Sequence, residues 1–345
     1  MIYFTCDYAE GAHPKILQRM AETNLEQTPG YGLDVHCERA RALIRAACGK
    51  PEAEVHFLVG GTQTNLTVIA SVLRPHQGVV AAATGHIGVH ETGAIEAGGH
   101  KVMTLPTADG KITAAQIDAC FRSHFEDPTH EHMVQPGMVY LSFPTETGLL
   151  YSKSELTAIH EVCRRYGAPL YLDGARLGYG LASPENDLTL QDIARLCDVF
   201  YIGGTKVGAL FGEAVVITDP ALGSDFRYLI KQRGGMLAKG RLLGIQFETL
   251  FENGLYDEIS RHAVNCAMRI RRALEQRGIP MHPVSPTNQQ FPVLTQAQFD
   301  ALSQQFVLDI WGAEDGSRSC RICTSWATRE EAVDALVGAI ASLPD

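Results

Sequence analysis

Seven short apolar runs, each ending in turn residues, leave this chain few folds to choose from. They are "VHFLVGG", "GVVAAAT", "KVMTLP", "GMVYLSF", "PLYLDGA", "DVFYIGG" and "GEAVVITD". Strands that are apolar on both faces must be covered on both faces, which calls for a parallel or mixed sheet between helical layers. The intervening segments supply the cover. "TQTNLTVIASVLRP" puts Leu66, Ile69, Val72 and Leu73 on one helical face. "AAQIDACFRSHFED" reads as a helix, as does a stretch near "LTLQDIARLC". "SKSELTAIHEVCRRYG" opens on a capping box from Ser152 or Ser154 and closes at Gly167. After Gly235 the pattern changes to a long helical stretch with a break near Asn253-Gly254, then to the shorter units "QQFPVL", "TQAQFDALSQQF", "SRSCRICTSWA" and "REEAVDALVGAIASL". The expected architecture is α/β, with a large domain over residues 13–240 and a small α+β domain over 241–345 that also takes residues 1–12.

Charge narrows the ligands. A formal net charge of −10 over 345 residues supplies no basic face for nucleic acid or an anionic membrane. Any anionic ligand must be held by local groups, against the overall field. No run of 18 apolar residues suggests a membrane span. The start, "MIYFTCDYAEGAHP", has no basic n-region and is interrupted by Asp7, so no secretory signal is expected. Nine scattered cysteines, an odd number, fit reduced thiols and the cytoplasm. Cys320 and Cys323 form a C-x-x-C, but without a second pair or a nearby redox βαβ unit they read as buried thiols on a strand.

Three places carry chemistry. In "VGGTQTNL" a strand ends at Val59, Gly60 and Gly61 allow a tight turn, and a helix begins near Thr62 or Thr64. That exposes backbone N–H groups at a positive helix end, suited to a phosphate. It matches neither G-x-x-x-x-G-K-[ST] nor G-x-G-x-x-G. In "LYLDGARLG", Asp173 ends an apolar strand, where open α/β sheets gather ligands. A carboxylate there needs a cation or several donors; an ion pair with Arg176 is the plain alternative. In "DVFYIGGTKVGALFGE", Lys206 is the only charge between Asp198 and Glu213. Desolvation lowers a lysine pKa and makes the amine nucleophilic. A phosphate cradle, a strand-end carboxylate and a desolvated lysine, in that order, are the set that pyridoxal 5′-phosphate (PLP) requires: helix end for the phosphate, carboxylate for the ring nitrogen, lysine for the aldehyde.

With "CDYAEGAHP", "GYGLDVHCE", "GGTQTN", "HIGVHETGA", "LDGARLG", "GGTK" and "RICTSW" also in order, the chain resembles the L-threonine aldolase and β-eliminating lyase group of fold type I PLP-dependent enzymes across nearly its whole length. The resemblance implies a large domain with a mixed, mostly parallel seven-stranded sheet and a small C-terminal α+β domain. It implies that His86 stacks on the cofactor ring, with Glu91 orienting a neighbouring histidine. Gly61, Thr62 and Thr205 join the cofactor site, Arg176 lies near the cofactor 3′-oxygen and the substrate carboxylate, and Arg321 is the second carboxylate arginine. Cys6 falls in a matching segment that lends substrate contacts, and Tyr31 in one that builds the neighbouring subunit's site, so a homodimer or homotetramer is expected. His86 and His90 with Glu91 do not follow H-E-x-x-H, and no metal site is expected.

Two positions depart from the family. Glu146, in "FPTET", stands where many relatives have a histidine, and Leu237 stands where they have a phosphate-contacting arginine. Arg233 or Lys239 would then supply the missing charge, and Lys239 is also Lys206's rival as the reactive amine. The expected reaction is aldol cleavage of L-threonine or a related β-hydroxy-α-amino acid to glycine and an aldehyde. His86, Glu146 or a water held between them is the base. The alternatives are β-elimination from another amino acid, or a non-catalytic binding protein of the same fold.

Overall fold

A computed structural model describes residues 1–314 and 317–344. The seven apolar runs form one sheet: β1 (Glu54–Leu58), β2 (Gln77–Ala82), β3 (Lys101–Leu105), β4 (Gln135–Ser142), β5 (Leu170–Asp173), β6 (Val199–Gly203) and β7 (Glu213–Ile217). Their spatial order is β1-β7-β6-β5-β4-β2-β3. All neighbours run parallel except β7, which is antiparallel to both β1 and β6. That reversal matters for the site. The first residue of β7 lies at the sheet edge where the parallel strands end, with Glu213 paired to Gly203 on one side and Leu58 on the other.

Alternate residues of each strand enter different cores. Leu170, Leu172, Phe200, Ile202, Ala214 and Val216 pack on one face. Tyr171, Val199, Tyr201, Val215 and Ile217 pack on the other. Both faces are dry, so the runs read as continuously apolar instead of alternating.

Helix α1 (Gly61–Val72) leaves the carboxyl end of β1 and packs Val68 and Ile69 into the second core. The expected capping box forms from Ser152 to Glu155, and Gly167 closes that helix in the left-handed region at φ 63°. The long helical stretch breaks as expected into α2 (Arg241–Phe251) and α3 (Leu255–Gln276), with Asn253 and Gly254 at φ 56° and 72° between them. α3 serves two cores. Leu255 to Val264 join the first, whereas Cys266, Ile270 and Leu274 join a third that also holds Phe4, Leu294, Ile322 and Ile340.

Around that third core, β8 (Val293–Thr295), β9 (Asp309–Glu314) and β10 (Ser317–Cys323) form an antiparallel sheet in the order β8-β10-β9. Beside it, Ile2–Tyr3 pairs with Phe306–Val307 in a separate two-stranded parallel sheet. Cys320 and Cys323 lie on β10 as free, buried thiols. Among the described residues, no helix is long and apolar enough to cross a membrane.

Candidate active site

A cavity of about 810 Å³ opens at the carboxyl ends of the parallel strands. Its walls gather most of the residues singled out above: Gly61, Thr62, His86, Glu146, Asp173, Arg176, Thr205, Lys206 and Arg321. Tyr31, Lys239 and Cys6 are not among them. Tyr31 lines a separate recess of about 30 Å³, and Lys239 is exposed on the surface.

Asp173 ends β5 on the tyrosine face of the sheet, since residues 171 and 173 share parity. Three neighbouring strands each place a tyrosine there, Tyr140, Tyr171 and Tyr201, all at most 1% exposed. A buried hydroxyl without a partner costs a kcal/mol or more, and these converge on a common set of acceptors. Tyr140 donates to Asp173 Oδ2 at 2.6 Å and Tyr201 to Oδ1 at 2.5 Å. The Ala175 N–H (3.0 Å) and Asn65 Nδ2 (3.0 Å) complete the set of donors. Among the described residues, no arginine pairs with Asp173; Arg176 turns elsewhere.

Asn65 links this carboxylate to the histidine. Its Nδ2 also donates to Glu91 Oε1 at 2.7 Å, while its Oδ1 accepts from Tyr171 at 2.6 Å. Glu91 Oε1 in turn accepts from His86 Nδ1 at 2.8 Å. Burial pulls the His86 pKa down, but the Glu91 hydrogen bond and the charges of Asp173 and Glu91 outweigh it and leave it raised. Glu146 meets His86 from the other side. Its Oε1 accepts the His86 backbone N–H at 2.8 Å and the Ser142 hydroxyl at 2.6 Å. Burial pushes the Glu146 carboxyl above the usual range, against those same two bonds.

Lys206 follows β6 on a turn whose carbonyl accepts from the Tyr179 hydroxyl at 2.5 Å. Burial first, then the Arg176 charge, lower its pKa, with Asp7, Asp173 and Glu213 opposing. Its Nζ lies 6.0 Å from the Tyr8 ring centre. The expected desolvated amine is therefore present, in a setting that favours its neutral form more than water does.

Both arginines line the cavity, with different partners. Arg176 gives Nε and Nη2 to Asp7 at 2.6 and 3.0 Å, and Asn288 Nδ2 also holds Asp7 Oδ2 at 3.0 Å. Two of its N–H groups are thus committed inside the protein. Arg321 donates to Gln289 Oε1 and to the Thr5 carbonyl, each at 3.1 Å, and pairs with Asp309 at 2.7 Å. The Asp309 side chain is 36% exposed, against 0% for Asp7, so Arg321 has the displaceable partner. Arg233 caps the helix before "GGML", where its carbonyl accepts from Gln63 Nε2 at 3.1 Å.

Asp7, Asn65, the tyrosine trio and Glu213 escaped the sequence reading. A tyrosine at matching parity in each of three apolar runs was the available signal for the trio. Asp7 had none, since its partner is 169 positions away.

The residues fit the cofactor that the sequence suggests. α1 begins after Gly60 with no side chain capping its first N–H groups, and these open into the same cavity as Asp173 and Lys206.

The sequence pattern described as "Beta-eliminating lyase" matches residues 4–297. The chain belongs to the beta-eliminating lyase family. A low specificity L-threonine aldolase from Pseudomonas sp. (strain NCIMB 10558) is 30% identical over 98% of this chain and 96% of its own length. The structure of a threonine aldolase from Leishmania major superposes with a TM-score of 0.96 at 47% identity, covering 99% of this chain and 98% of that one. A putative L-allo-threonine aldolase from Listeria monocytogenes gives 0.74 at 18% identity over 99% and 95%. An aspartate aminotransferase mutant from Thermus thermophilus gives 0.71 at 14% over 99% and 95%. The last two share the fold alone, which is that of fold type I PLP-dependent enzymes.

Proposed function

We propose that this protein cleaves L-threonine and related β-hydroxy-α-amino acids to glycine and an aldehyde, with PLP held in the large cavity. The convergence of Lys206, Asp173 and the uncapped start of α1 on one cavity carries the reading. Lys206 would hold the cofactor aldehyde, Asp173 the ring nitrogen, His86 the ring face, and Gly61, Thr62 and Thr205 the phosphate. When bound, PLP supplies an electron sink for the charge left on Cα as the Cα–Cβ bond breaks.

The chain's own residues do the rest. Arg321, by exchanging the half-exposed Asp309 for a substrate carboxylate, fixes the orientation of the amino acid. Arg176, clamped by Asp7, contributes fixed positive charge near Lys206. Glu146, with its pKa raised by burial, is the base we favour for the β-hydroxyl proton. His86, oriented by Glu91, is the other candidate, directly or through a water between the two.

Tyr31, Leu33, Val35 and Tyr228 are exposed at 46%, 64%, 48% and 76%, which supports a homodimer or homotetramer in which Tyr31 and Lys239 serve a neighbouring subunit. The division into residues 13–240 and 1–12 with 241–345 belongs to the same reading. Nine free thiols support a reducing compartment, the cytoplasm.

Protein incubated with PLP and L-threonine should release glycine and acetaldehyde in equal amounts. Borohydride should fix the cofactor on residue 206, and Lys206→Ala should abolish both results. PLP-loaded protein that yields neither product would end the aldolase reading, and ammonia with a keto acid from serine would replace it with β-elimination.

A further inference from the structure

One buried carboxyl in the cavity wall has no part in the chemistry above. Glu213 is 4% exposed and lines the same cavity as Lys206 and Asp173. It stands within an apolar run, and a strand read as parallel would carry it to the far edge of the sheet. The antiparallel course of β7 instead sets it beside Gly203, at the end of β6. From there its Oε2 accepts the N–H of Gly204, two residues before Lys206, at 3.1 Å. The Thr205 hydroxyl accepts from the Gly212 N–H at 3.0 Å, next to Glu213 in the chain. The backbone that leads into Lys206 is therefore tied to this carboxyl at Gly204.

A carboxyl in such a position costs stability unless it does something for its neighbours. The groups that face Glu213 are Lys206, Asp173 and the hydroxyls of Tyr171, Tyr201 and Tyr256. Those that face Lys206 are Arg176, Asp7, Asp173, Glu213 and the histidines 86 and 90. Asp7 is held by its bidentate arginine and Asp173 is surrounded by donors, and both favour the ammonium of Lys206 alongside Glu213. Glu213 has no cation other than Lys206 in this set.

We propose that Glu213 is a positioning residue for Lys206: docked on the backbone that carries the lysine, its charge sets where in pH the amine becomes neutral. The inference rests on Lys206 being the reactive amine. Burial pushes the Glu213 carboxyl up to about 8 and draws the lysine down, so the two titrations are brought toward one another. As the carboxyl ionises it favours the ammonium, and loss of one proton makes loss of the other harder. The amine then deprotonates over a wider span of pH than an isolated group would.

The test is competitive acylation of full-length protein, freed of bound aldehyde, with trace acetic anhydride across pH 5 to 11, read at residue 206 by peptide mass spectrometry. The wild type should give a curve broader than one proton. Glu213→Gln should give a one-proton curve with its midpoint lower by about one pH unit or more. Glu213→Asp should keep a broadened curve. A one-proton curve in the wild type overturns the proposal whether or not the variants fold. A folded Glu213→Gln protein with the wild-type midpoint and width overturns it as well. The assay needs neither cofactor nor turnover, so its failure leaves the aldolase reading standing. Failure to cleave threonine, conversely, leaves the labelling curve as expected.

Discussion

Replacing Asp7 by asparagine should cost this protein about 3–5 kcal/mol, the usual penalty for breaking a buried ion pair from one side. The side chain of Asp7 is 0% exposed and that of Arg176 13%. The carboxylate accepts from Arg176 Nε, Arg176 Nη2 and Asn288 Nδ2 at 2.6, 3.0 and 3.0 Å. An amide keeps one oxygen for those donors and adds a nitrogen that is itself a donor. It also leaves the guanidinium charge without its counter-charge. Against a typical total stability of about 5–15 kcal/mol, the variant would sit near the folding threshold.

Urea unfolding of wild type, Asp7→Asn, Arg176→Met and the double variant measures the effect. The double variant should be less destabilised than the sum of the singles by about 0.5–3 kcal/mol, because the second change removes the charge the first one stranded. The pH dependence has a definite sign. Burial alone would raise the Asp7 pKa, but the charges of Arg176 and Lys206 and the hydrogen bonds hold it below the ordinary value. Its contribution is therefore complete above the unfolded-state pKa of about 3.9 and lost as the pH falls through the folded value. Asp7→Asn should lack that acid slope. Singles that add without coupling, or an Asp7→Asn protein within about 0.5 kcal/mol of wild type, would refute this account.

Glu146→Gln should lower kcat by about 10²–10⁴. It should also remove the acid limb of the rate profile, which in the wild type lies above the ordinary glutamate pKa because the carboxyl must be ionised to act and burial raises it. A variant with kcat and acid limb intact would move the base assignment to His86. Gly178→Ala should destabilise by about 1–3 kcal/mol, since a Cβ there would meet Ser260 Oγ at 2.3 Å and the Tyr256 ring at 2.9 Å. Part of that loss should return in a Ser260→Ala background, and thermal denaturation reads both.

Much of the architecture was legible because it is written locally. Capping at Ser152 and Gly167 and the break at Asn253-Gly254 depend on residues within a few positions of one another, and each appears where the pattern put it. The candidate site was legible where a functional side chain ends a strand run, as Asp173 and Lys206 do. It was obscure wherever a role depends on a distant partner. That Asp7 holds two of the Arg176 N–H groups was one such role, since the two residues are 169 positions apart.

What the sequence by itself determined is the set of strands, their two-faced burial, and the few polar residues set among apolar ones, because periodicity and the cost of burying charge act along the chain. What the tertiary structure alone decided is which of those polar residues meet. The reversed course of β7 brings Glu213 to the lysine's edge of the sheet, and shared parity on three strands turns Tyr140, Tyr171 and Tyr201 toward one cluster. Strand direction and neighbour order arise from contacts across the sheet, and no local pattern in a single strand records its neighbour.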